Sequence, residues 1–98
     1  MSAQPTHAIL VTVTFKPGLG ASATHLLESQ VVPGAKAAPG FVAGYWMHHA
    51  DGSRGTSVEL FDSLANAEAE LGRRSVEMPP EAPVTVDSAV VVEVVASA

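Results

Sequence analysis

The sequence predicts an α+β domain with the element order β-α-β-β-α-β, and three observations carry that prediction. Two strand-like runs flank Asp51-Gly52, a favoured pair for a tight hairpin turn. A segment with three- and four-residue apolar spacing precedes this hairpin, and a shorter one follows it. Alternating β-branched runs stand near both ends of the chain. The order is the split βαβ arrangement of ferredoxin-like domains, a four-stranded antiparallel sheet with two helices on one face.

Residues 1–6 are expected to be a disordered leader and 7–98 a single domain. His7 to Lys16 alternates, with Ile9, Val11, Val13 and Phe15 on one face and Leu10, Thr12 and Thr14 on the other. Pro17, Gly18 and Gly20 break this strand. From Ala21 to Ala38, the residues Ala23, Leu26, Leu27, Val31 and Ala35 form one helical stripe, with a kink or a division expected at Pro33-Gly34. Phe41–His49 and Arg54–Phe61 are the hairpin strands. A two-residue type I′ turn would pair Gly44 with Glu59, Trp46 with Ser57 and His48 with Gly55. Asp62 or Ser63 caps a second helix that runs to about Arg74, where Arg73 and Arg74 complement the negative end of its dipole. The proline-bearing segment 76–83 is a loop that could lie over a pocket, and Val84–Val95 is the last strand.

Composition narrows the function classes. The chain has 98 residues, 47% hydrophobic and 15% charged, which is rich in apolar side chains for so small a body. A domain of this size buries only about 60–70% of its unfolded surface, so a partner chain is expected to take up the excess. The absence of cysteine excludes disulfides, thiolate metal sites and cysteine nucleophiles. No apolar run approaches the roughly 20 residues of a membrane span, and the start of the chain lacks a signal-peptide pattern. A net charge of −5 with scattered basic residues argues against nucleic acid as a partner. A cytoplasmic location is expected.

The hairpin alternation places Val42, Gly44, Trp46, His48, Ser57, Glu59 and Phe61 on one face, and Phe41, Ala43, Tyr45, Met47, Thr56, Val58 and Leu60 on the other. Matching faces by polarity puts the second, more apolar set under the helices with Ile9, Val11, Val13, Phe15, Val90, Val92 and Val94. The mixed set then shares the uncovered face with Leu10, Thr12, Thr14, Val91, Glu93 and Val95. That face is too apolar for water, and a second copy of the sheet is the simplest cover, giving a homodimer.

Taken in succession, HAILVTVTFKPG, VVPGAKAAPGF, GYWMHHADGSRGTSVELFDSLANAEA and the Val-rich last strand resemble the dimeric α/β barrel superfamily, closest to its antibiotic-biosynthesis-monooxygenase-like members. The resemblance spans roughly residues 7 to 96. It implies a cofactor-independent monooxygenase or isomerase acting on a small aromatic or polyketide-like molecule; the alternative is a non-catalytic, ligand-binding or pathway-accessory dimer. The oxygenases of this superfamily place an Asn, a Trp and a Tyr or His around the substrate, whose own carbanion meets oxygen. Trp46, Tyr45 and the His48–His49 pair match part of that set. The only asparagine, Asn66, falls on the second helix, and the first-strand positions expected to hold one carry Thr12 and Thr14.

The candidate catalytic residues are therefore His48, Glu59 and Trp46, and the candidate ligand-binding residues are Tyr45, Thr12, Thr14 and Phe61. Trp46 serves either as interface packing or as a stacking surface. His48 shares a face with Trp46 and Glu59, so it is placed for proton transfer, or else it sits half-solvated beside the turn. Glu59 is either buried with a partner, at a cost of several kcal/mol without one, or faces solvent at an open edge. Glu93 poses the same choice. No metal is expected, because the chain lacks HExxH and paired histidines at helical spacing, and no bound cofactor is expected.

Overall fold

The structure, a computed structural model, describes residues 4–74 and 82–98. The elements are β1 (His7–Phe15), α1 (Gly20–Leu26), a π-helical turn (Leu27–Val31), α2 (Val32–Ala37), β2 (Phe41–His48), β3 (Arg54–Phe61), α3 (Leu64–Arg74) and β4 (Val84–Glu93). The four strands form one antiparallel sheet in the order β2-β3-β1-β4, which is the ferredoxin-like order. Of the expected leader, residues 1–3 lie outside the described residues. Thr6 is already tied to the sheet, donating to the Phe61 carbonyl and accepting from Val94 N–H, both at 2.9 Å. Most of the expected loop at 76–83 also lies outside the described residues.

The first helical region runs without a gap from Gly20 to Ala37, and the expected break takes the form of the π turn. Pro33 has no N–H to give to the carbonyl four residues back, and its ring crowds that turn. The helix widens just before it, with Val32 N–H reaching Leu27 O, five residues back. At α3 the choice of cap is settled by Ser63, whose Oγ accepts from Asn66 N–H at 3.1 Å. No helix among the described residues is long and apolar enough to cross a membrane.

The hairpin register is the expected one: Gly44 pairs with Glu59, Trp46 with Ser57 and His48 with Gly55. The turn is different. Only glycines adopt positive φ among the described residues, so Asp51 does not enter the left-handed region that a type I′ turn requires. Gly52 alone does, at φ 74°, and its N–H returns to His49 O. Asp51 Oδ1 instead accepts from the N–H and Oγ of Ser53, which closes a longer loop between His49 and Arg54.

The polarity match holds for β1, whose Ile9, Val11, Val13 and Phe15 face the helices, but the hairpin and β4 are turned in the opposite sense. The register sets His7, Ile9 and Val11 beside Phe61, Glu59 and Ser57. The helices lie on this face: Ile9, Phe61 and Ala67 form the core, with Val11, Ala38, Phe41, Leu71 and Val91 against it. The mixed hairpin set is thus the covered one. Tyr45, Met47, Val90 and Val92 are exposed on the far side, at 61%, 46%, 47% and 38%. On β4, the helix-side residues are Ala89 and Val91, because Ile9 pairs with Val91 and Val11 with Ala89. A register shift between Phe41 and Ala43 moves Phe41 to the covered face, where its ring meets Phe61 edge-on at 6.0 Å.

Candidate functional site

Between the helices and the sheet lies a cavity of about 700 Å³. Its floor is the covered face of the sheet, with Val11, Val13, Phe15, Trp46, His48, Ser57 and Glu59. Its roof includes Leu26, Leu27, Gln30 and Val31 from the first helical region and Leu71, Arg73 and Arg74 from α3. Small residues make the room. Ala23 contributes little volume from α1, and Gly55 leaves space that Phe15 Cζ approaches, 3.1 Å from where a Cβ would stand. Ala82 and Pro83, at the end of the expected loop, also line it.

One wall of this mainly apolar chamber is ionic. Glu59 is fully buried mid-strand, and Arg74 Nη1 and Nη2 donate to its two carboxylate oxygens. Arg74 Nε donates to Glu70 Oε2 at 2.7 Å, and Arg73 Nε and Nη2 reach Glu70 at 2.8 and 2.7 Å. Burial alone would make Arg74 easier to deprotonate, but the hydrogen bonds and charges of Glu59 and Glu70 outweigh it and raise its pKa. For Glu70, burial acts upward, and the hydrogen bonds and charges of Arg73 and Arg74 hold the carboxyl below its ordinary range. The carboxylate that the sequence leaves without an assigned partner therefore meets the last residue of α3. The i, i+4 spacing of Glu70 and Arg74 shows that those two can pair on one helix, and it gives no sign that Arg74 also reaches Glu59.

His48 lines the chamber at the strand end, where it is exposed to solvent and its ring stands edge-on to Phe15 with centroids 4.8 Å apart. The structure thus brings His48, Trp46 and Glu59 to one cavity. It does not bring the other four candidates there. Phe61 is fully buried in the core and is not part of the lining. Tyr45, Thr12 and Thr14 alternate with cavity residues and fall on the uncovered face, where Thr14 Oγ1 donates to Asp87 at 2.6 Å. Asn66 is also away from the chamber; its amide donates to Asp62 and lies against Gly40. Glu93 is exposed at the end of β4. Among the described residues, no group of three or more His, Asp or Glu is placed to hold a metal ion.

Two solved structures share this architecture. One is a monooxygenase from the gene ActVA-Orf6 of Streptomyces coelicolor, in complex with the ligand nanaomycin D. It matches with a TM-score of 0.67 at 15% identity, over 96% of this chain and 91% of that one. The other is NE2512, a protein of unknown function from Nitrosomonas europaea, with a TM-score of 0.64 at 21% identity, over 99% and 96% of the two chains. At these identities the likeness is one of fold, the ferredoxin-like α+β arrangement. No family model matches the chain, and no curated protein sequence does.

Proposed function

We propose that this protein is a small-molecule oxygenase or isomerase of the monooxygenase-like kind, acting as a homodimer on a small aromatic or polyketide-like molecule without a bound cofactor. One observation carries the proposal. The helix-covered face carries a half-open chamber of about 700 Å³ that Trp46 and His48 both line, a size within the range of small-ligand sites. The shared fold with a monooxygenase in complex with nanaomycin D supports the same reading.

In this reading the substrate stacks on Trp46, and the His48 imidazole takes a proton from an activated methylene or phenol. The resulting carbanion is itself the reductant for dioxygen. A methylene becomes a carbonyl, one oxygen atom entering the product and the other leaving as water. Glu59 does not carry the proton, because both of its oxygens are engaged by Arg74; it anchors the ionic wall instead. The homodimer forms through the uncovered sheet face, where Leu10, Tyr45, Met47, Val90 and Val92 are exposed.

Oxygen uptake with anthrone tests the chemistry. His48→Ala should lower the rate by about 10²–10⁴-fold, the usual contribution of a general base, while anthrone binding measured by calorimetry survives. A second reading, non-catalytic binding of the same class of molecule, is favoured by the closure of Glu59, which leaves one imidazole as the only candidate base of the lining among the described residues. Anthrone binding to the wild type without oxygen uptake would select it.

A further inference from the structure

Alternate residues of a strand share a face and stand about 7 Å apart, so Gly44 lies on the same covered face as Trp46, which lines the cavity. The backbone gives no reason for glycine at position 44. The positive-φ glycines are Gly18, Gly40 and Gly52, and any L-residue could adopt the conformation of Gly44. Space gives the reason. A Cβ built on Gly44 would stand 2.7 Å from Cη2 and 2.9 Å from Cζ3 of Trp46, and 3.2 Å from Cζ of Phe41. Cη2 and Cζ3 are at the far edge of the indole. The ring is therefore folded back along its own strand and occupies the volume that a side chain at 44 would fill.

From this we infer that Gly44 is a positioning residue that sets the ligand specificity of the cavity. By leaving no side chain above its Cα, it lets the indole lie down along the sheet as a flat floor. The cross-strand neighbour of Trp46 is Ser57, another small residue, which keeps that floor low on the side toward β3. A ring laid along the sheet leaves headroom for a planar fused aromatic to stack on it. With a methyl group at 44, the indole must tilt up into the chamber and take that headroom. The inference rests on the proposed reading of the cavity as a ligand site, and adds that flatness is what the site selects and that Gly44, through Trp46, enforces it.

The test is a double-mutant cycle with two probes of one carbon skeleton, planar naphthol and puckered decahydronaphthol, their binding measured by calorimetry. In the wild type, naphthol should bind more tightly than decahydronaphthol. Gly44→Ala should weaken naphthol by about tenfold, the order of an aromatic pair, and decahydronaphthol by less than about twofold. In a Trp46→Phe background the far edge of the indole is gone, and Gly44→Ala should then change naphthol binding by less than about twofold. The chain has one tryptophan, so its emission reports this ring alone and should shift to the red in Gly44→Ala as the ring lifts. A thermal midpoint at or above that of the parent in the Trp46→Phe background would show that alanine suits the strand itself. An equal loss of naphthol affinity in both backgrounds overturns the inference while leaving the cavity as a ligand site. Equal affinity of the two probes for the wild type does the same. Failure of both probes to bind the wild type overturns the proposed function along with it.

Discussion

The two faces of this sheet divide their polar and apolar groups against the simple rule. The covered face carries Glu59, Ser57, His48 and Trp46, and the uncovered face exposes Leu10, Tyr45, Met47, Val90 and Val92. A carboxylate is tolerated under the helices because α3 brings Arg74 down to it, so neither charge is left alone. The outer face buries no charge; its polar pairs, Thr14 with Asp87 and His49 with Thr56, are exposed and stand beside bare hydrocarbon. A buried ion pair marks the face where a chamber is built, and exposed large apolar side chains mark the face left for another body.

The largest effect should come from breaking the ionic wall. Arg74→Met leaves Glu59 buried without a counter-charge, which should cost about 3–5 kcal/mol in urea denaturation. Glu59→Leu combined with Arg74→Met removes both charges, while Arg73 still serves Glu70, and should recover most of that loss. A cost below about 1 kcal/mol for the single variant would mean that water reaches Glu59, and the contrast between the faces would fail.

The fold was legible in the sequence because its signals are local. The period of two in β1, the stripe of α1 and α2, the Ser63 cap and the hairpin register each depend on neighbours a few residues apart. The choice of covered face was not local. It depends on Arg74 meeting Glu59, fifteen residues back along the chain. Read alone, Arg73 and Arg74 look like helix-dipole partners, and a paired buried carboxylate looks the same in sequence as a solvated one. The candidate site was therefore legible in part: the alternation put Trp46, His48 and Glu59 on one face, as the register does, and the polarity match turned that face to the wrong side. Tyr45, adjacent to Trp46 in sequence, was carried toward the site by a resemblance that the alternation does not support here. The shift at Phe41 was not marked by any breaker residue.

A smaller effect should separate the outer face from the inner one. In the proposed homodimer, Val90 is buried by the partner, whereas in the single chain it is 47% exposed. Val90→Lys should therefore leave monomer stability nearly unchanged and weaken association by about 1.5–3 kcal/mol per protomer, the worth of a buried valine side chain. Light scattering across a dilution series would show a dimer for the wild type and a shift toward monomer for the variant. A wild type that scatters as a monomer at micromolar concentration would remove the partner from the comparison and leave the apolar face unexplained.

The smallest effect is a pH dependence confined to the inner face. Glu70 has a folded pKa lowered from the ordinary 4.5: burial pushes it up, and the Arg73 and Arg74 hydrogen bonds, followed by their charges, push it further down. A carboxyl group depressed in the folded state contributes stability that is present above its unfolded pKa and is lost as pH falls through the folded one. Glu70→Gln should therefore lower the thermal midpoint at neutral pH, and the gap to wild type should close as pH falls below 4.5. The gap should be small because one of the two partners, Arg73, is 50% exposed and screened by solvent. A gap that stays constant with pH would mean that Glu70 acts as a neutral hydrogen-bonding group and not as an ion. Val90→Lys supplies the contrast, since lysine does not titrate in this range and its effect on association should not follow this pH window.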